Sequence, residues 1–115
     1  MEILQTDSFQ KDFKKLSKKY QTLKDDFEYF AEVIADNPTG EGAGLRSDCI
    51  TRVPEKNVAF YKARMMCRTV RGSSFRVIYM HDTKNVTLLF IEIYFKGTKE
   101  NNDMERINEI CRNYE

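Results

Sequence analysis

The chain has 115 residues, of which 41% are hydrophobic, and its formal net charge at pH 7 is +1. A chain of this length is expected to fold around one core, and it contains no apolar run of the ~18 residues that a membrane-spanning helix needs. The near-zero net charge gives no bulk electrostatic argument for binding nucleic acid, so the distribution of charge matters instead. We therefore expect one domain over residues 1–115, with no signal peptide and no membrane partner, located in the cytoplasm.

The cysteines and the single histidine argue against a metal site. Cys49, Cys67 and Cys111 are odd in number and have neither CxxC nor zinc-knuckle spacing, so we interpret them as buried or idle thiols. His81 is the only imidazole, which excludes most metal sites and any mechanism that needs two histidines. It falls in a predicted turn beside Asp82, where a structural role is more common than a catalytic one. We expect no metal and no cofactor.

Two amphipathic helices are predicted in the first third of the chain, after a short strand over Glu2 to Gln5. The first helix is capped by Asp7 or Ser8, and the second begins near Thr22 and stops at Asn37-Pro38. The apolar face of the first helix carries Phe9, Phe13, Leu16 and Tyr20. Its opposite face carries Lys11, Lys14, Lys15, Lys18 and Lys19, which we interpret as a solvated surface. The short break between the helices predicts a helical hairpin.

The rest of the chain is predicted to be mainly β-structure. Residues 38–49 are glycine-rich and predict an irregular connection. Strands are then expected over Ala59 to Arg68, Ser74 to Met80, and Asn85 to Phe95, joined by turns at Thr69 to Ser73 and His81 to Lys84. A last helix over Asp103 to Tyr114 either packs on the sheet or is free of it. The predicted fold class is α+β: an N-terminal helical hairpin on a mainly antiparallel sheet of three to five strands, with a C-terminal helix.

Alternation along the three strands divides their side chains between two faces. The apolar face, which would receive the hairpin, collects Tyr61, Ala63, Met65, Cys67, Phe75, Val77, Tyr79, Leu89, Ile91, Ile93 and Phe95. The other face collects the cations Lys62, Arg64, Arg76 and Lys96 together with Tyr94, Phe90 and the acid Glu92. On this face Phe90 is either a stacking platform or lies under the C-terminal helix.

A cationic sheet face with an aromatic side chain suits binding of a phosphate backbone and stacking of a base. The same groups suit cleavage, in which a ribose 2′-hydroxyl attacks the neighbouring phosphate. Arginines can stabilise the pentavalent oxyanion, whereas a lysine or tyrosine needs a lowered pKa to act as the base. The crowding of Lys62 by Arg64 and Arg76 would act in that direction. The alternative is that these cations only keep the surface soluble.

The segments FYKAR (60–64), FRVIYMHD (75–82) and LFIEIYFKGTKEN (89–101), which follow an FxxxFxxL helix (9–16), resemble the RelE/ParE family of toxins. The resemblance implies the toxin of a toxin–antitoxin pair, held inactive by a cognate antitoxin. RelE-like members cut mRNA in the ribosomal A site without a metal. The implied partners are therefore the antitoxin, the ribosome and mRNA, with DNA contacted only indirectly through the antitoxin; a homodimer is left open.

Carried over by position, the resemblance assigns basic positions to Lys62, Arg64, Arg76, Lys96 and Lys99. The strand pattern adds Tyr94 and Phe90, and the mid-chain basic cluster adds Arg68 and Arg71, which gives two groups of residues. The catalytic candidates are Lys62, Arg64, Arg76, Tyr94 and Lys96. The RNA-binding candidates are Arg68, Arg71, Lys99 and Phe90. The stretch NNDMER (101–106) lacks the tyrosine that cutting members often carry after the basic run, and Tyr94 or Tyr114 is the candidate to replace it. Two alternatives to an mRNA endoribonuclease remain: a ParE-like inhibitor of DNA gyrase, and an inactive descendant that only binds.

Overall fold

The computed structural model of the protein describes residues 1–40, 46–70, 72 and 74–114. Its elements in chain order are β1 (Glu2–Gln5), α1 (Asp7–Lys19), α2 (Leu23–Asp36), β2 (Ser47–Val53), a 3-10 turn (Pro54–Lys56), β3 (Val58–Met65), β4 (Phe75–Asp82), β5 (Thr87–Phe95) and α3 (Met104–Asn113). The strands form one sheet in the order β1-β5-β4-β3-β2, in which β1 is parallel to β5 and the other pairs are antiparallel. The predicted α+β class is confirmed. No helix in these ranges has the length and apolar content needed to cross a bilayer.

The helical hairpin forms as predicted, with a difference of one residue at its start. Thr6 caps α1 because its hydroxyl accepts a hydrogen bond from the Phe9 N–H at 3.0 Å, so the cap lies just before the predicted Asp7 or Ser8. The chain turns at Tyr20 and α2 ends at Asp36, next to the predicted stop. The hairpin packs its apolar faces on one side of the sheet, where Phe9, Leu23 and Ile34 are fully buried.

Two predictions about where strands and turns lie are wrong. The irregular connection predicted over 38–49 overlaps β2, which begins at Ser47; residues 41–45 of that connection lie outside the described residues. None of the side chains of β2 is fully buried, so no clear apolar alternation marks this edge strand in the sequence, and it is defined by its pairing with β3. His81 lies within β4 instead of in a turn, because β4 continues to Asp82. Of the predicted turn over 69–73, residues 71 and 73 lie outside the described part of the chain.

The C-terminal helix packs on the sheet, on the face opposite the hairpin. Ile107 of α3 is 1% exposed and contacts a cluster that includes Phe60, Ile78 and Ile91. The central strands are therefore covered on both sides where α3 packs. Of the two arrangements left open for the last helix, the packed one is confirmed.

A β-bulge in β5 changes which residues face the hairpin. Ile78 pairs with Glu92 but the next residue, Tyr79, pairs with Phe90, so Ile91 is an extra residue in β5. An extra residue reverses the alternation of side chains on either side of it. Before the bulge Phe90 faces the hairpin and Leu89 faces α3, which is the reverse of the prediction.

Candidate functional site

A row of cations crosses the α3 face of the sheet at the end that α3 does not reach. Arg64 of β3 lies directly opposite Arg76 of β4, and Arg76 lies opposite Tyr94 of β5. On the other side, the Arg64 N–H donates to the Arg46 carbonyl at 2.8 Å. Directly opposed residues have Cβ atoms about 4.5–5.5 Å apart, so Arg46, Arg64 and Arg76 form one line, which we call the arginine row.

The arginine row concentrates like charges on a partly exposed surface. Arg46 and Arg64 are exposed and Arg76 is half-buried. Burial lowers the pKa of Arg76, and the charges of Arg64 and Arg46 lower it further, while Tyr94 acts in the opposite direction. One guanidinium nitrogen of Arg76 donates to the Phe75 carbonyl at 3.0 Å. Three guanidinium groups held this close would be stabilised by an anion placed across them.

Arg46 was missed by sequence reasoning, and the reason is the unrecognised strand β2. Without β2, no pattern placed Arg46 beside Arg64. The cations that were predicted to neighbour Arg64 do so. Lys62 lies two residues from Arg64 on the same face of β3, opposite Asp48 of β2. Lys62, Arg64 and Arg76 are therefore brought together as predicted, while the roles assigned to them remain predictions.

The lysines after β5 are engaged with neighbouring groups. Lys99 forms an ion pair with Glu92 and lies 5.6 Å from the centre of the Tyr94 ring. Glu92 is 1% exposed and also accepts the Asp103 N–H at 2.7 Å. Lys96 is exposed and donates to the Glu100 carbonyl. The charge of Lys99 is thus balanced by a buried carboxylate, and Lys96 lies in the turn that follows the sheet.

The stretch over 101–106 lacks the tyrosine that cutting members often carry, and neither candidate to replace it, Tyr94 or Tyr114, is positioned as a base. Tyr94 is 5% exposed, and its hydroxyl has no hydrogen-bond partner among the described residues. Burial raises the pKa of Tyr94, Glu92 raises it further, and Arg76 opposes them, so this phenol keeps its proton at neutral pH. The Tyr114 hydroxyl donates to the Asp82 carboxylate. Asp82 is the last residue of β4 and Arg76 is the second residue of that strand. Asp82, and the Tyr114 hydroxyl bound to it, therefore lie about 20 Å from Arg76.

Three RNA-binding candidates lie away from this surface or outside the described residues. Arg68 is committed to Asp26: its side chain pairs with the carboxylate at 2.7 Å, and its N–H donates to the same group at 2.8 Å. Phe90 is fully buried under the hairpin, with ring centres 5.7 Å from Phe9 and 5.0 Å from Phe27, so both roles considered for it are wrong. The bulge is the physical reason. Arg71 lies outside the described residues.

No family model matches the chain, and no curated protein matches its sequence. Its fold is similar to that of a chain in the crystal structure of the archaeal RelE–RelB complex from Pyrococcus horikoshii. The TM-score is 0.61 at 15% sequence identity, and the match covers 85% of this chain and 97% of that chain. At 15% sequence identity, this structural similarity establishes the fold alone. The protein has a RelE-like fold, as the resemblance in its sequence implied.

Proposed function

We propose that this protein is the toxin of a toxin–antitoxin pair, and that it binds RNA at the arginine row and cleaves it without a metal. The single observation that carries the proposal is the alignment of Arg46, which directly precedes β2, with Arg64 of β3 and Arg76 of β4 on a RelE-like sheet. Arginine forks suit phosphate oxygens, and a rigid sheet holds them without further ordering when RNA binds. The substrate we propose is mRNA on the ribosome, in the cytoplasm.

The proposed reaction is a transfer within the RNA chain. The 2′-oxygen attacks the adjacent phosphorus, the bond from phosphorus to the 5′-oxygen breaks, and a 2′,3′-cyclic phosphate and a 5′-hydroxyl are formed. One proton leaves the 2′-hydroxyl and one is given to the 5′-oxygen. The guanidinium groups of Arg64 and Arg76 would stabilise the charge of the pentavalent intermediate. Lys62, next to them on the same face, is our candidate for moving protons.

The proposed protein partner is an antitoxin. The similar chain comes from a structure in which RelE is in complex with RelB. We propose that a cognate antitoxin binds this protein and blocks the arginine row, and that any contact with DNA is made through that antitoxin. The net charge is only +1, and the basic side chains of the arginine row form a localised surface. This fits a protein whose basic surface is covered by one specific partner.

Induced expression in bacteria tests the proposal. The wild-type protein is expected to arrest growth and cut mRNA within codons, and Arg76→Ala is expected to relieve both effects because it removes one of the three guanidinium groups of the arginine row. Lys84→Ala is the matched control, since Lys84 is an exposed cation in the turn after β4, at the other end of the sheet. Continued arrest by Arg76→Ala, with both variants folded by circular dichroism, would contradict the proposal.

A second candidate is a toxin of the same fold that inhibits DNA gyrase by protein contact. The observation that favours it is that Tyr94 is buried and Tyr114 is bound to Asp82, so the described part of this face offers no exposed tyrosine or histidine for acid–base chemistry. Primer extension on mRNA after induction separates the two candidates. Filamentation and DNA damage with intact mRNA would support the gyrase inhibitor, and harmless expression would indicate a protein that only binds.

A further inference from the structure

A pocket lies on the hairpin side of the sheet, at the end away from the arginine row. Its volume is about 360 Å³. The residues that matter for its chemistry are Arg52, Ala59, Tyr61 and His81, with Thr39 and Thr83 also in the lining. A volume of this size is at the lower end of the range for small-molecule sites, about 300–1,000 Å³.

The register of the sheet places a basic side chain on each side of this pocket. Arg52 of β2 lies directly opposite Ala59 of β3, and Ala59 lies directly opposite His81 of β4. Opposed residues point to the same face, so all three side chains leave the sheet on the hairpin side. Two interstrand spacings put the Cβ atoms of Arg52 and His81 about 10 Å apart. The methyl group of Ala59 leaves the space between them open.

The hydrogen-bonding capacity of the Arg52 and His81 side chains is unused within the described part of the chain. Neither the Arg52 guanidinium nor the His81 imidazole makes a hydrogen bond or ion pair there. Among the described residues that line the pocket, none is an aspartate or a glutamate. The hydroxyl of Thr83 is at the rim, where it donates to the Asn57 carbonyl. An arginine and a histidine that converge on an open space without a carboxylate form a binding site for an oxyanion.

We propose that this pocket binds the phosphate group of a small ligand, with the phosphate between Arg52 and His81 over Ala59. The ring of Tyr61, which is stacked on Tyr79, forms an apolar wall beside that position. The wall can receive an organic group attached to the phosphate, so both free phosphate and a phosphate monoester such as a mononucleotide have the right chemistry. This site lies on the opposite face of the sheet from the arginine row and is independent of the proposed toxin activity.

His81 makes the experiment simple because it is the only histidine in the chain. Burial lowers the pKa of His81, and Asp82 acts in the opposite direction. Titration of the full-length protein with inorganic phosphate, followed by NMR of the His81 imidazole, is expected to give a saturable shift and a higher pKa, because a bound anion favours the imidazolium. Adenosine 5′-monophosphate and adenosine are titrated in parallel. Tighter binding of the monophosphate than of phosphate identifies an ester ligand, and equal binding identifies free phosphate.

Variants distinguish a defined site from general ion binding. Arg52→Ala is expected to weaken phosphate binding about tenfold or more, as expected for the loss of a charge-assisted hydrogen bond. Arg112→Ala is the matched control, because Arg112 is an exposed arginine that pairs only with exposed Glu105 among the described residues. Ala59→Val fills the space and should also prevent binding. If the His81 signals do not move with either phosphate ligand, or if they move equally in Arg52→Ala, the proposal is wrong.

Discussion

At the scale of single residues, two tyrosines on the same sheet illustrate how the environment decides what a hydroxyl can do. Tyr79 donates to the Pro38 carbonyl at 2.8 Å and contacts the Ser47 hydroxyl at 3.0 Å. Burial raises the pKa of Tyr79 to about 12. Tyr94 is buried to a similar degree, but its hydroxyl has no partner within the described residues. The Tyr79 hydroxyl stabilises the fold through these contacts. For the Tyr94 hydroxyl, the described contacts show no structural role.

This difference predicts opposite responses to removal of the two hydroxyl groups. Tyr79→Phe is expected to lower the free energy of unfolding by about 1–2 kcal/mol, because the Pro38 carbonyl and the Ser47 hydroxyl lose a partner. Tyr94→Phe is expected to leave it unchanged or to raise it by up to about 1 kcal/mol, because an unpaired buried hydroxyl is unfavourable. Urea denaturation measures both values. A larger loss for Tyr94→Phe than for Tyr79→Phe would show that the Tyr94 hydroxyl does have a partner.

Arg106 shows how one side chain can connect three elements. Its guanidinium donates to both oxygens of Asp12 in α1, at 2.6 and 3.3 Å, and to the Ile91 carbonyl of β5 at 3.1 Å. Ile91 is the bulge residue, just beyond the part of β5 that β1 pairs with. The hydrogen bond to Asp12 raises the pKa of Arg106, which stays charged throughout the physiological range. Arg106 therefore provides a hydrogen-bond donor for the Ile91 carbonyl, which lies beyond the part of β5 paired with β1, and it joins α3 to the hairpin.

At the scale of elements, the bulge in β5 determines which aromatic side chain enters the core. Phe90 packs against Phe9 and Phe27 only because Ile91 is an additional residue. Phe90→Ala is expected to lower the free energy of unfolding by about 3–5 kcal/mol, the usual loss for a large buried aromatic. Tyr29→Ala is the control, because Tyr29 is 71% exposed and its truncation should change stability by less than about 0.5 kcal/mol. Equal, small effects in thermal denaturation would mean that Phe90 is exposed and that β5 has no bulge.

The end of β4 is fastened to α3 through one buried carboxylate. Asp82 is fully buried and accepts hydrogen bonds from the N–H groups of Lys84 and Asn85, from the Asn85 side chain, and from the Tyr114 hydroxyl. Burial alone would raise the pKa of Asp82, but these hydrogen bonds outweigh it, so the pKa is lower than its usual value. One charged group thus organises the turn after β4 and holds the last residues of the described chain.

The lowered pKa of Asp82 predicts sensitivity to acid. A carboxylate with a lower pKa in the folded state adds stability that is present above the unfolded pKa of about 3.9 and is lost as the pH falls through the folded value. Asp82→Asn should therefore destabilise the protein at pH 7 and reduce the loss of stability between about pH 4 and pH 2. Thermal unfolding across this range measures the effect, with Asp25→Asn, an exposed residue of α2, as the control. An unchanged acid transition in Asp82→Asn would contradict the assignment.

At the scale of the whole molecule, a net charge of +1 hides an uneven distribution of cations. The arginine row is at one end of the α3 face, with Lys62 beside it, whereas the charge of Lys99 is balanced by Glu92. Binding to a polyanion should then depend on a few defined contacts. Single-stranded RNA that is bound through Z phosphates loses affinity with salt at a slope of about −0.7Z on logarithmic axes.

This distribution predicts the salt dependence of RNA binding. Arg64→Ala is expected to weaken binding at every salt concentration and to make the slope shallower by about 0.7, the value for one lost phosphate contact. Fluorescence anisotropy with a short single-stranded RNA provides the measurement, and Lys84→Ala should keep the wild-type slope. RNA binding that is independent of salt, or a slope that is the same in both variants, would place the contact elsewhere.

Much of the fold could be predicted because local sequence patterns and packing agree. The spacing of Phe9, Phe13 and Leu16 predicts α1 as it is observed, and the alternation in β3 and β4 correctly separates Tyr61 and Val77 from the cations. In β3, Lys62 and Arg64 alternate with Tyr61 and Ala63, and in β4 Arg76 lies between Phe75 and Val77, which defines the phase of the pattern. For the same reason, alternation alone was enough to predict that Lys62, Arg64 and Arg76 share one face.

The sequence by itself determined the helical hairpin, the central strands and the face that carries the cations, because each depends on the periodicity of a local segment. Only the tertiary structure decided the bulge at Ile91, since the run LLFIEIY is apolar on both faces and gives alternation no phase. It also decided that β2 forms and places Arg46 beside Arg64, because an exposed edge strand is specified by its partner. The pocket between Arg52 and His81 likewise depends on register across three strands, which no local pattern contains.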